Sequence, residues 1–306
     1  MKLNNKIDFA ALLAVTMANP NGDPLNGNRP RTDYEDYGEI SDVCIKRKIR
    51  NRMQDMGYDI FVQSDSRCDD DCKSLSDRAK KHLEGEKDKK VFAEKACAKW
   101  LDVRAFGQVF AYSGDGKKKK GKGGKDTEGE KKEGDSGVSI GIRGPVSIHQ
   151  AVSLSPVEVR SLQITKSVNG ETPKNENAEA EDKLSSDRMG MKHFVQFGLY
   201  LVKGSINVQL AEKTGFSQED ADVIKECLRT LFVNDASSAR PDGSMEVVKL
   251  FWWQHNCKDG QYSSANVHRS VHVEPKNNEG IPASVDDYII KVDKLPGLTP
   301  EIIDGI

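Results

Sequence analysis

The chain has 306 residues, 36% of them hydrophobic, and a formal net charge of -2 at pH 7. That apolar content supports the core of a soluble globular protein of one or two domains, and no apolar run approaches the ~20 residues a membrane span requires. The near-neutral balance excludes a general attraction to polyanions, so any nucleic-acid site has to be a local patch.

The first element follows Lys2 and Lys6. The run "FAALLAVTMA" looks superficially like a secretory signal, but Asp8 precedes it and the large side chains Ile7, Phe9, Leu13, Val15 and Met17 all occupy odd positions. Alternation of that kind predicts a strand over Ile7 to Met17. A loop follows, "NPNGDPLNGNRPRTD" (Asn19 to Asp33), with almost nothing apolar except Leu25. "SDVCIKRKIRNRMQDMG" predicts a helix with Ser41 or Asp42 as N-cap and Gly57 as its stop. Ile45, Ile49, Met53 and Met56 form its buried stripe, while Lys46, Arg47 and Arg50 gather on a face pointing away from the core.

"DIFVQ" reads as a short strand, and Ser64 to Lys90 as a charge-rich insertion of mixed helix and loop. One helix is predicted over "VFAEKACAKWLDVRAFG", with Phe92, Ala96 and Trp100 toward a core. Ser113 to Gly137 carries no large apolar side chain and predicts a flexible, lysine-rich projection. β-like sequence resumes at "VSIGIRGPVSIHQAVSL" and "VRSLQITKSV" and is interrupted by the polar stretch Asn169 to Ser186. It returns in "KHFVQFGLYLVKGSINVQL", read as one long strand. "SQEDADVIKECLRTLF" predicts a helix opened by a Ser217/Asp220 capping box, and "MEVVKLFWWQHN" a closing strand. Strand, helix, strand, strand, helix, strand is the split βαβ order of ferredoxin-like folds and of the RNA recognition motif. The expectation is an α+β, RRM-like (ferredoxin-like) fold in one elaborated domain over residues 1–306.

In the loop, Gly22 and Gly27 let main-chain N–H groups approach a ligand, Asn19, Asn21, Asn26 and Asn28 offer amides, and Arg29 and Arg31 can fork onto phosphate. With Lys46, Arg47 and Arg50 downstream, such a surface suits a phosphodiester backbone gripped without regard to sequence. The same residue types also build ordinary exposed turns. Asp23, Asp33 and Asp42 lie close enough in sequence for a divalent-metal phosphodiesterase site, although Asp23 is expected to fix its turn and Asp42 to cap its helix. His193 stands alone before the long strand, and Phe251 and Trp253, sharing a strand face with Lys249 and His255, are expected to pack against inserted segments and not to stack on bases. Cys44 and Cys227 fall on apolar helical faces. Neither the pair Cys68 and Cys72 with His82 nor His268 and His272 at helical spacing supplies the four converging ligands of a zinc site. Reduced thiols, a cytoplasmic location, no metal and no cofactor are the expectation.

"NPNGDPLNGNRPRTD" followed by "SDVCIKRKIRN" resembles the opening of the backbone subunits of the type I-C CRISPR interference complex, Cascade, within the RAMP superfamily. "DVRAFGQV", "IRGPVSI", "SLQIT", "DRMGMKHFVQFGLY" and "AEKTGFSQEDADVI" look like further family blocks in the family's order, with a less distinct match after Asn256. The resemblance implies a non-enzymatic subunit that binds CRISPR RNA. Copies of it polymerise head to tail along the guide and present the spacer for pairing with target DNA in antiviral defence. It also implies an RRM-like palm with a helical fingers insertion, placed at Ser64 to Trp100, and a β-hairpin thumb insertion, placed at Lys166 to Met191. Toward the thumb, Arg160, Gln163, Thr165, Arg188, Met189, Lys192 and His193 join the RNA-contact candidates. Lys117, Lys118, Lys119 and Lys120 either touch duplex DNA or keep their loop soluble. The implied partners are CRISPR RNA, target DNA through the guide, other copies of the chain, a guide-processing subunit, a large target-recognition subunit and a recruited nuclease-helicase, with no membrane. The alternatives are a metal-dependent RAMP-type ribonuclease using Asp23 or Asp33, and a standalone RNA-binding module.

Overall fold

The structure, a computed structural model, describes residues 1–83, 86, 88–111, 139–165, 189–277 and 280–306. The first strand, β1 (Ile7–Ala18), is buried on both faces through Val15, after which Thr16 and Met17 are exposed and Met17 has a positive φ of 53°. The alternation read from the sequence therefore stops one residue before Met17. The small pair β2 (Gly22–Asp23) and β3 (Arg29–Pro30) lies in the following loop, and β4 (Tyr37–Ile40) leads into α1 (Asp42–Asp55). Ser41 is the N-cap, accepting from Cys44 N at 3.3 Å, whereas Asp42 pairs with Lys46 at 2.9 Å. The cap is thus the hydroxyl and not the carboxylate. Ile45, Ile49 and Met53 are buried as expected, and so is Lys48, whose ammonium bonds Asp235.

Then come α2 (Leu75–Leu83), α3 (Lys89–Lys99), α4 (Leu101–Phe106), β5 (Gly107–Ala111) and β6 (Ser139–Arg143). Two expectations fail in this region. Residues 59–63 form no strand, because the amides of Phe61 and Val62 donate to the buried Asp102 carboxylate at 2.7 and 3.1 Å instead of to a neighbouring strand. The single helix expected over 91–107 is broken at Trp100, whose extended backbone (φ -110°, ψ 120°) turns its ring into a core. That core, built from Phe61, Ala79, Phe92, Ala96, Trp100, Phe110 and Ile140, makes the described residues of 61–110, with 140–142, a packed unit.

The remaining elements are β7 (Val146–Ile148), β8 (Ala151–Pro156), β9 (Val159–Thr165), β10 (Met189–Ile206), α5 (Val208–Thr214), α6 (Gln218–Arg229), β11 (Met245–Gln254), α7 (Ser264–Arg269), β12 (Val271–Pro275), β13 (Tyr288–Val292) and β14 (Glu301–Asp304). The long strand stops at Ile206 because the Asn207 side chain accepts from Leu210 N at 2.8 Å and caps α5, so "VQL" is helical and not extended. The capping box of Ser217 and Asp220 opens α6 as the sequence predicts.

Among the described residues the main sheet runs β14-β11-β1-β10-β8-β4, with β7 and β9 also paired to β10. Each pairing is antiparallel. The inner order β11-β1-β10-β8, with α1 and α6 as the crossovers, is that of a split βαβ unit. One face of this sheet, through Phe9, Val15 and Trp252, packs on Ile49, Ile224 and Leu228 of the two helices. The other, through Leu12, Phe251 and Trp253, packs on Val267, Val271 and Tyr288, so the two aromatic residues pack internally, but on the C-terminal segment and not on the expected insertions. Ile7 lies opposite Ile206 and Gln254 at one end of the sheet, and Ala18 opposite Val195 at the other. The loop after Ala18 is therefore held at that second end. The lysine-rich 113–137, the polar 169–186 and residues 166–188 of the expected thumb lie outside the described residues.

Candidate nucleic-acid interface

The loop from Asn19 to Asp33 is built by its own polar side chains. Asn19 is buried and donates to Asn28 O at 2.7 Å, and Asn21 Oδ1 accepts from Ser41 N at 2.9 Å, fastening the loop to the start of α1. Asp23 caps a short 3₁₀ turn at Pro24–Asn26, accepting from Leu25 N at 3.2 Å, and Arg31 approaches the same carboxylate at 3.4 Å. Gly27 and Asn28 sit in left-handed conformation (φ 58° and 59°). A Cβ on Gly22 would lie 2.1 Å from Asn28 Oδ1 and 3.0 Å from Asn28 O, so a side chain there would displace the Asn28 amide across this small hairpin. The tip projects Leu25, which is 98% exposed, together with Asn26.

Arg29 leaves the loop toward the β9/β10 ribbon. Its Nη1 donates to Ser161 Oγ at 3.0 Å and lies 3.4 Å from His193 Nδ1, while Ser161 Oγ and His193 Nδ1 are 2.8 Å apart. Arginine can only donate, so Ser161 accepts from it and is free to pass its own hydroxyl proton toward the imidazole. Ser161 and His193 are register partners, as are Gln163 with Met191 and Thr165 with Met189. These pairs share one ribbon face with the Arg29 contact, whereas Arg160, Leu162, Ile164 and Lys192 occupy the other. Gln163 Nε2 bonds Met189 Sδ at 2.8 Å, and Arg160 pairs with Glu158 at 3.0 Å. Between loop and ribbon lies a cleft of about 470 Å³, with Asp23, Asn26, Arg29, Arg31 and Glu158 in its walls. Arg31 Nε is buried there without a hydrogen-bond partner among the described residues.

The basic face of α1 differs from expectation. Lys46 is held by Asp42, Arg47 Nη1 donates to Val62 O at 2.7 Å, and Arg50 Nε donates to Asp102 at 2.9 Å over the Phe106 ring. Burial, with Arg50 nearby, holds the Arg47 guanidinium below its ordinary range. Arg47 and Arg50 thus look onto the 61–110 unit, where the buried Asp102 carboxylate requires a cation, while Lys46 is tied to its own helix.

A family model described as CRISPR-associated protein Cas7 matches residues 5–293. The chain belongs to the CRISPR-associated protein Cas7 family. A curated Cas7 protein of Haloferax volcanii is 24% identical over 309 residues, covering 99% of this chain and 85% of its own. Two solved structures are also similar. One, titled a CRISPR RNA-guided surveillance complex, has 15% identity and a TM-score of 0.41, covering 81% of this chain and 68% of its own. The other, a pre-nicking form of such a complex, has 16% identity and a TM-score of 0.44, covering 86% and 81%. The Cas7 match continues past Asn256, where the sequence blocks had become indistinct.

In this Cas7-family chain, the sequence-predicted residues do not all come together. Asn26, Arg29, Arg31, Gln163, Thr165, Met189 and His193 converge around the cleft and one ribbon face, whereas Arg160 and Lys192 lie on the opposite face. Asn19, Asn21, Gly22 and Asn28 shape the loop through their own bonds and close packing. Lys46, Arg47 and Arg50 are engaged elsewhere, and Arg188 and Lys117 to Lys120 lie outside the described residues. Ser161 is the residue the sequence did not single out, since its role depends on strand register. Asp33 Oδ1 accepts from Glu35 N and Tyr37 N at 2.9 and 2.8 Å, a turn-forming pattern. Among the described residues, no group of three or more His, Cys, Asp or Glu side chains is placed to hold a metal. His268 and His272 do not share a helix: the first lies in the last turn of α7 and bonds Gly204 O, and the second lies on β12 beside Asp293. Cys68 and Cys72 flank Asp70, which the Arg78 guanidinium clamps, and His82 lies edge-on to Trp100.

Proposed function

We propose that this chain is a non-catalytic backbone subunit of a type I-C CRISPR RNA-guided surveillance complex, gripping the guide and presenting its spacer to target DNA. The supporting observation is the junction at Arg29, where a loop with exposed amides and two arginines is bonded to a ribbon carrying His193, Gln163 and Met189. Contacts of this kind address phosphate and sugar and leave sequence to base pairing, which is what a guide holder needs. In this reading the main sheet with α1 and α6 is the palm, the unit around Trp100 the fingers, and β9 and β10 the arms leading into a thumb at 166–191. Other copies of the chain lie along the guide, a guide-processing subunit and a large target-recognition subunit complete the particle, and a separate nuclease-helicase does the cutting. Asp23 and Asp33 serve their turns, which gives the ribonuclease alternative no support from these residues.

The test is RNA binding by Arg29→Glu. It is expected to weaken binding of unrelated single-stranded RNAs alike, and to lower the slope of log affinity against log salt by about 1. Full affinity and an unchanged slope would remove the Arg29 junction from the site.

A further inference from the structure

Two charged features lie at opposite ends of the main sheet, the first at the edge of the loop–ribbon cleft, where Asp36 is one of the lining residues. The first is the turn Asp33, Tyr34, Glu35, Asp36, in which all four residues are exposed and Tyr34 fully so. It is held rigidly: Asp33 Oδ1 accepts from Glu35 N and Tyr37 N, Asp36 has a φ of 63°, and Asp36 O accepts from Val157 N at 2.8 Å. No cation pairs with these three carboxylates among the described residues, although the neighbouring Asp23 and Asp42 each have one. Three uncompensated carboxylates repel a phosphodiester, and a rigidly projected tyrosine is a common protein-recognition anchor.

The second feature is a cleft of about 490 Å³ at the sheet end where β1 begins, lined by Lys6, Arg143, Lys258, Asn207 and Leu210, with Gln209 bonded to Asp259. Three cations and one carboxylate line it. Lys6 pairs with Asp8 at 3.2 Å and Lys258 with Glu212 at 2.6 Å, while Arg143 is exposed and without an ion-pair partner among the described residues. Its guanidinium can both stack on an aromatic ring and fork onto a carboxylate.

We infer that the 33–36 turn of one copy seats in the Lys6/Arg143/Lys258 cleft of the next. Tyr34 lies against Leu210 and Arg143, and the carboxylates face Arg143 and Lys258. A strand the length of β1 spans about 35–40 Å, so turn and cleft cannot meet within one chain. Contact between two different surfaces on identical chains is heterologous and propagates in one direction. The inference rests on the backbone reading and assigns its self-contact.

The test uses two full-length variants, Asp33→Lys/Glu35→Lys/Asp36→Lys and Arg143→Glu/Lys258→Glu. Sedimentation velocity is run with a single-stranded RNA long enough for several copies, and binding to a short RNA holding one copy is measured in parallel. Wild type is expected to load several copies cooperatively. Each variant alone is expected to bind singly, with affinity for the long RNA lowered about tenfold. An equimolar mixture leaves one intact turn and one intact cleft per pair, so it should form species of two adjoining copies and no longer ones. Variants that assemble like wild type, or a mixture no different from its components, would overturn the assignment. So would loss of short-RNA binding by either variant alone, which would place these residues in the grip. Failure of wild type to bind the short RNA would instead overturn the guide-binding reading.

Discussion

At Asp102 a single buried carboxylate receives Phe61 N, Val62 N and Arg50 Nε, tying α1 to the 61–110 unit. Asp102→Asn removes the charge while Arg50 stays mostly buried, so a loss of about 3 kcal/mol is expected, read as a lower urea midpoint at unchanged slope. A midpoint within error of wild type would mean the pair is dispensable. A second residue sets a pH dependence. Burial holds the His268 imidazole below its ordinary value of 6.5, opposed by its bond to Gly204 O. As pH falls through 6.5 the unfolded chain protonates at this site before the folded chain does, so folding stability is lost on acidification. His268→Gln is expected to reduce that loss between pH 6.5 and 5, in urea titrations at each pH; identical profiles would contradict it. Neither role was legible beforehand. Asp102 reads as an ordinary charge within "LDVRAFG", and His268 suggests helical ligand spacing with His272 until α7 ends at Arg269.

At the scale of elements, local chemistry was legible where the deciding contacts are close in sequence. The Ser217/Asp220 box, the buried stripe of α1 and the β1 alternation before Met17 all lie within a few residues of what they determine. The break at Trp100, the missing strand at 59–63 and the early end of β10 were not legible, because a distant core, a distant carboxylate or a neighbouring cap decides them. The basic face of α1 was misread for the same reason: its partners Val62 and Asp102 lie 15 and 52 residues away. The β1/β10 pairing makes a sharp prediction. A Cβ on Gly204 would lie 2.2 Å from the Phe9 ring and 2.6 Å from Ser147 O, both inside the sheet. Gly204→Ala should cost about 2 kcal/mol through forced displacement of Phe9, measured as a fall in urea midpoint. Unchanged stability would show that Phe9 has room to move.

For the whole molecule, the order of framework elements foretold the inner strands β11-β1-β10-β8 and the two helices on one face. The covering of the second face by the C-terminal segment was not foretold, since Phe251 and Trp253 find their partners only through tertiary packing. The fold places the loop and the β9/β10 ribbon at the same end of the sheet, so the surface proposed to hold the guide is assembled from two segments separated by more than a hundred residues. The most direct measurement is co-expression with a CRISPR array and a guide-processing subunit, followed by size exclusion and sequencing of the protected RNA. A large particle carrying intact spacer RNA is the predicted result. A small, RNA-free protein that degrades added RNA in a metal-dependent way would contradict it.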